Sequence, residues 1–195
     1  MSDGLLPDRI HSRADLEALL AATTNYEETR PRVKERPSFR LDRVRAMLAY
    51  LGNPQEGPRT IHIAGSKGKG TVARMLDAAL SAADLGPVGR FTSPHLEDLA
   101  ERITVDGRRA REEQLAAAAN ELLPYVKKVL DTPEALSFFE ILTGMAWLVF
   151  RADGCRSVVL ETGLGGRLDA TNVCRPDAVI VTRIEMEHAD ILGPT

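Results

Sequence analysis

Cysteine is nearly absent from this chain: 195 residues carry two, Cys155 and Cys174, with no CxxC spacing. That excludes a disulfide framework and a thiolate metal cluster, and leaves both thiols as buried or bystander groups. No apolar run approaches the roughly 20 residues needed to span a bilayer, and the polar start MSDGLLPDRIHSR has no signal-peptide core. The expectation is a cytoplasmic protein without a membrane partner. Strong positive charge is missing too: the formal net charge is −3, which argues against a nucleic-acid partner. Nor is there a convincing Ser-His-Asp or Cys-His arrangement for nucleophilic catalysis. What is present, 44% hydrophobic and 27% charged residues, is an ordinary globular composition long enough for one substantial core.

Helical and strand patterns alternate along the chain. Ser12 and Asp15 stand at capping-box spacing before a helix to Ala22, with Leu16, Leu19 and Leu20 on one face. The polar, proline-broken stretch TTNYEETRPRVKERPSF reads as a connector, so residues 1–38 precede a main unit at 39–195. Leu41, Val44, Met47, Leu48 and Leu51 keep helical spacing up to Gly52 and Pro54. Strands are predicted at Thr60 to Ala64, Pro87 to Phe91 and Arg102 to Val105, separated by a helix from Lys69 to Ala83 and a polar loop from Thr92 to Ala100. Asp106-Gly107 ends the third strand, and with Arg102 and Arg108-Arg109 it is most simply a hairpin with a charged surface. Arg111 to Leu130 predicts a helix broken or bent near Pro124. Ser137 and Glu140 form a second capping box, opening a deeply packed helix through Val149. Ser157 to Leu160 and Ala178 to Val181 are short and apolar enough to be buried on both faces of a parallel sheet. The fold class is α/β, a mostly parallel sheet flanked by helices, with ligands at the carboxyl ends of the strands.

The densest chemistry lies in IHIAGSKGKGT, Ile61 to Thr71, a strand that breaks into a glycine-rich turn before a helix. Such a turn aims backbone N–H groups and a helix N-terminus at phosphate oxygens, which predicts a nucleotide triphosphate site. Lys69 supplies a point charge for the phosphates and Thr71 a hydroxyl near the magnesium. The spacing departs from the common G-x-x-x-x-G-K-[ST], since Gly70 separates Lys69 from Thr71. A plain strand-to-helix turn with solvated lysines is the alternative. Glu161 follows SVVL at a strand end, where nucleotide enzymes commonly hold a carboxylate for magnesium, and TGLGGRLDATN brings Arg167 and Asp169 near it. The strand AVIVT leads to Arg183, Glu185, Glu187 and His188. Ser93 and His95, in FTSPHL, read equally as turn residues. Phe138 and Phe139 read as core rather than a substrate platform, and Glu140 as a cap partner.

Taken together, LGNPQ, IHIAGSKGKGT, FTSPHLEDLAERITVDG, SFFEILTGMAWLVF and VVLETGLGGRLDATN followed by HADILG resemble the folylpolyglutamate synthase and dihydrofolate synthase family. That family lies within the Mur-ligase-like ATP-dependent amide ligases, and its shortened phosphate loop accounts for the unusual spacing. The resemblance implies a P-loop nucleotide-binding fold like the Mur ligase central domain, truncated here. It implies ATP binding by Gly65, Ser66, Lys67, Gly68, Lys69, Gly70 and Thr71. Magnesium ligands would be Ser93, Glu161 and His188, and the catalytic set Lys69, Glu161 and His188. Substrate-side residues would be Ser93, Pro94 and His95, with Ser137, Phe138, Phe139, Glu140, Leu168, Asp169 and Ala170 in the pterin-binding segments.

The implied reaction activates a folate or dihydropteroate carboxylate with the γ-phosphate of ATP. The amino group of L-glutamate then displaces phosphate to form an amide. Lys67 stands where the family usually has asparagine, and Glu187 where aspartate is usual. Family members continue with a carbamylated lysine and a carboxyl-terminal domain, so the chain is expected to be the amino-terminal part of such a ligase, monomeric when full length. A Mur-type ligase for another carboxylate, or a nucleotide-binding module without turnover, are the alternatives.

Overall fold

The computed structural model describes residues 6–27 and 40–186. The first helix, α1 (Arg13–Ala21), starts where expected because Ser12 and Asp15 close a reciprocal capping box. It is followed by α2 (Leu41–Tyr50), β1 (Arg59–Ala64), α3 (Lys69–Ala82) and β2 (Val88–Phe91). A 3₁₀ turn at Leu99–Arg102 leads to the hairpin β3 (Ile103–Val105) and β4 (Arg108–Arg109). Asp106 and Gly107, with φ of 48° and 72°, form its tight turn. The chain continues through α4 (Glu112–Val129), α5 (Phe138–Ala152), β5 (Ser157–Glu161) and β6 (Ala178–Val181).

The strands form one sheet in the order β4-β3-β2-β5-β1-β6. Pairing is parallel from β2 through β5 and β1 to β6, and antiparallel in the β2-β3-β4 wing. The expected α/β architecture is therefore present, with an antiparallel margin. β5 threads between two strands that precede it, aligning Leu160 with His62 of β1 and with Phe91 of β2. Three carboxyl ends thus open at one level, and Glu161 emerges between the glycine-rich loop after β1 and Thr92-Ser93.

Alternation along the strands divides the core. Phe91, Val158 and Leu160 face the larger cluster, which α1, α2, α4 and α5 fill with residues such as Leu19, Met47, Leu122 and Trp147. Ile63, Val88 and Val159 face α3 through Ala73. α5 is buried on almost every side, and its start is fixed by the Ser137-Glu140 box. Both cysteines are free and half-buried; burial pushes the Cys155 thiol up to about 12 and that of Cys174 to about 11. A raised value disfavours the thiolate, the reactive form of cysteine.

Three expectations need correction. α4 runs unbroken through Pro124, because Leu122, Leu123, Tyr125 and Val126 around it are all buried and packing outweighs one lost backbone bond. Arg102 is not on a charged hairpin surface but 1% exposed, drawn inward by partners distant in sequence. β6 is not buried on both faces: Val179 is 60% and Val181 59% exposed. Among the described residues it is an edge strand, paired with β1 on one side only.

Candidate active site

The glycine-rich loop expected to bind phosphate leaves β1 at Gly65, whose φ is +132° and where a Cβ would run into the Thr182 hydroxyl. Only glycine fits. Gly68 takes φ of 85° at the N-cap of α3, where no side chain caps the helix and no acidic residue occupies the first turn. With no side-chain cap among the described residues, the first amide donors of α3 and the positive end of its dipole lie at this turn. The start of the loop is tied down by Ser66, which donates its hydroxyl to the Glu185 carbonyl and accepts from the Glu185 N–H at 2.9 Å. Lys67 reaches Glu185 at 2.5 Å, and Arg183 holds the same carboxylate at 2.9 Å.

Lys69 points the other way. Its ammonium lies 4.0 Å from the Glu161 carboxylate, and the two side chains are 15% and 6% exposed. Glu161 accepts the Ser93 N–H at 3.2 Å and lies so near Gly70 that an added Cβ would stand 3.4 Å from its Oε2. Burial pushes the Glu161 carboxyl above its usual value, while the Ser93 N–H and Lys69 pull it back. A cavity of about 580 Å3 opens here, lined by Gly70, Thr71, Arg74, Ser93, Pro94 and Glu161. Under the floor, Arg90 on β2 pairs with Asp77 on α3 at 2.9 Å, both buried.

A carboxylate and three hydroxyl-bearing residues, Thr71, Thr92 and Ser93, on one cavity suit magnesium, which takes oxygen ligands and is commonly held by one or two carboxylates plus substrate phosphates. Among the described residues no cluster of three His, Cys, Asp or Glu side chains could hold a metal. Glu187 and His188 lie outside the described residues.

A second, smaller cleft of about 60 Å3 opens on the α5 face, where Tyr26 and Glu27 meet the start of α5 and the 164–170 loop. Phe139 faces it, half-buried and tilted at 35° against Phe91 with ring centroids 5.5 Å apart, so Phe139 is not purely core. Phe138 is core, lying under the Arg102 guanidinium at 5.3 Å. Glu140 accepts the Ser137 N–H at 2.7 Å and an Arg43 N–H at 3.0 Å, so its carboxylate also braces α2. Leu168 stands at the rim, while Ala170 and Asp169 are buried. His95 turns from the first cavity, and its Nδ1 accepts the Arg102 Nε–H at 2.7 Å. Arg102 also forks onto Glu27, with one N–H bond of 2.8 Å. This joins the 93–96 loop to the amino-terminal segment.

The sequence reading did not single out Arg102 as a buried hub, nor Arg90, Asp77, His62 and Thr171. Asp77 had a visible signal: it stands four residues after Ala73 on the buried stripe of α3, and a buried carboxylate requires a cation.

A family model for the Mur ligase middle domain matches residues 63–195. The chain belongs to that family. Among relatives of this Mur ligase middle domain, the "Dihydrofolate synthase/folylpolyglutamate synthase" of Mycobacterium tuberculosis is 38% identical, over 96% of this chain and 38% of that protein. The "Probable bifunctional folylpolyglutamate synthase/dihydropteroate synthase" of Halobacterium salinarum is 47% identical, over 76% of this chain and 18% of that protein. The solved Mycobacterium tuberculosis folylpolyglutamate synthase complexed with ADP superposes with a TM-score of 0.78 at 38% identity, covering 92% of this chain and 38% of that one. Escherichia coli FolC in complex with DHPP and ADP gives 0.72 at 35% identity, covering 84% and 40%. The resemblance read from the motifs is borne out, and the chain spans less than half the length of these relatives. No helix among the described residues is long and apolar enough to cross a membrane.

Proposed function

We propose that this Mur ligase middle domain is the ATP-binding part of a ligase that joins L-glutamate to a folate or dihydropteroate carboxylate through an acyl phosphate. The observation that carries the reading is the convergence of Gly70, Thr71, Ser93 and Glu161 around one cavity at the strand ends, with the Lys69 ammonium 4.0 Å from Glu161. A triphosphate and a carboxylate repel each other, so the site must first neutralise charge and then hold the reacting oxygen in line with the γ-phosphorus. The open N–H groups of α3 bind phosphate oxygens, and Lys69 sets a positive charge beside them. Glu161, with the hydroxyls of Thr71 and Ser93, would hold magnesium, which supplies further neutralisation of phosphate charge when bound. The cleft at Phe139 and the 164–170 loop is the place for the pterin, whose flat ring suits an aromatic wall. His188 completes the metal set only by analogy with the family. The same reading makes the protein cytoplasmic, and monomeric when full length.

The test is Mg-ATP affinity by calorimetry, followed by attachment of labelled glutamate to dihydropteroate and to tetrahydrofolate. Lys69→Ala should weaken Mg-ATP binding at least about tenfold, the loss expected for one charge-assisted phosphate contact. Equal binding by parent and variant would sink the nucleotide assignment.

A further inference from the structure

His62 is 5% exposed, on the face of β1 opposite α3, three residues before the phosphate loop. No step of the proposed reaction uses it. Its Nε2 lies 2.7 Å from the Thr171 hydroxyl, which in turn lies 2.5 Å from the Asp169 carboxylate. Asp169 is buried, and its remaining bonds all close its own loop: Oδ2 accepts Gly163 N–H at 2.9 Å and Leu164 N–H at 2.8 Å, and Oδ1 accepts Thr171 N–H at 2.9 Å. Counting the Thr171 hydroxyl, four donors meet the four lone-pair positions of the carboxylate.

Proton accounting gives the direction of the chain. Burial pushes the Asp169 carboxyl up, yet three backbone N–H groups aimed at it favour the ionised form. An ionised carboxylate can only accept, so Thr171 donates its single hydroxyl proton to Asp169. The Thr171 oxygen is then an acceptor, and His62 must supply an Nε2–H. Neutral His62 is thereby fixed in one tautomer.

We propose that His62 is a positioning residue for the substrate loop. From β1 it donates Nε2–H to Thr171, which keeps Thr171 turned onto Asp169 and keeps residues 163–171 in the shape that lines the cleft beside Phe139. The strand that ends in the phosphate loop therefore also supports the loop on the acceptor side, and the two halves of the site share one buried hydrogen-bonded line. The support of the loop stands on the hydrogen bonds alone. The assignment of the cleft to a pterin rests on the ligase reading above.

The experiment compares the parent chain with His62→Leu, His62→Gln and Thr171→Val. Backbone amide exchange at Gly163, Leu164 and Thr171 should accelerate about tenfold in His62→Leu and Thr171→Val, the effect of losing one buried hydrogen bond, while α5 stays within about twofold. His62→Gln, whose side-chain amide reaches the same position, should restore protection. Nitrogen-15 spectra of the parent should show the Nε2–H tautomer, and an Nδ1–H tautomer would overturn the donor assignment. Unchanged exchange at the three amides, or equal acceleration across α5, would overturn the positioning role. Dihydropteroate and Mg-ATP affinities are read in parallel: His62→Leu should weaken the first about tenfold and leave the second within about twofold. A parent that binds no dihydropteroate while the three amides respond as expected would count against the ligase reading and leave the positioning role standing.

Discussion

Glu161 is a carboxyl whose charge burial disfavours, so the metal-holding role proposed for it would be at odds with stability. Replacing it with glutamine removes the buried charge and preserves the shape. Glu161→Gln should melt at a higher temperature than the parent in metal-free buffer near neutral pH, and should fail to form acyl phosphate. A lower melting temperature would mean that Lys69 and the Ser93 N–H outweigh the cost of burial. His62 contributes a pH dependence of definite sign. Burial lowers its value below 6.5, so the unfolded chain binds the proton more readily than the native one. Stability from this group is fully present above pH 6.5 and falls as the pH drops towards the lowered native value. A plot of urea-unfolding free energy against pH should therefore be flatter on the acid side for His62→Gln than for the parent.

Elements here are held by local signals at some points and by distant ones at others. The start of α5 is local: Ser137 accepts from Glu140 N–H, and Glu140 returns to Ser137 N–H at 2.7 Å. Ser137→Ala should cost about 1 kcal/mol in urea unfolding. The union of α3 with β2 is not local, since it joins the buried Arg90-Asp77 pair to the apolar contact of Val88 with Ala73. Asp77→Ala leaves the guanidinium buried without its partner and should cost about 3–5 kcal/mol, whereas the apolar double variant Asp77→Leu with Arg90→Met should recover most of that loss. This contrast explains what could be read from the chain. Both capping boxes, the ranges of most helices and strands and the phosphate loop follow from spacings of a few residues, and each was legible. Arg102 was not, because its burial is decided by Glu27, 75 residues away, and by the Phe138 ring. Pro124 misled for a related reason: the local rule says break, and the surrounding core overrides it. At the candidate site, motif order located Lys69, Ser93 and Glu161, while the His62-Thr171-Asp169 line emerged only once the sheet register was known.

At the scale of the whole molecule the sheet has two unlike margins. On one side it ends in the two-residue β4, short and arginine-rich, a form that resists pairing with another chain. The other margin is β6, where Val179 and Val181 are 60% and 59% exposed and Ile184 and Met186 beyond them 74% and 72%. An apolar strand whose one partner among the described residues is β1 presents both unpaired backbone groups and apolar side chains, the combination that drives edge-to-edge association. Sedimentation velocity of the 195-residue chain should therefore show species larger than a monomer, growing with concentration. Replacing Val179 with lysine puts a charge on that face and should shift the distribution back to monomer, without changing Mg-ATP affinity, because residue 179 does not border the phosphate cavity. A parent chain that sediments as a single monomer at every concentration would show that the β6 margin does not associate.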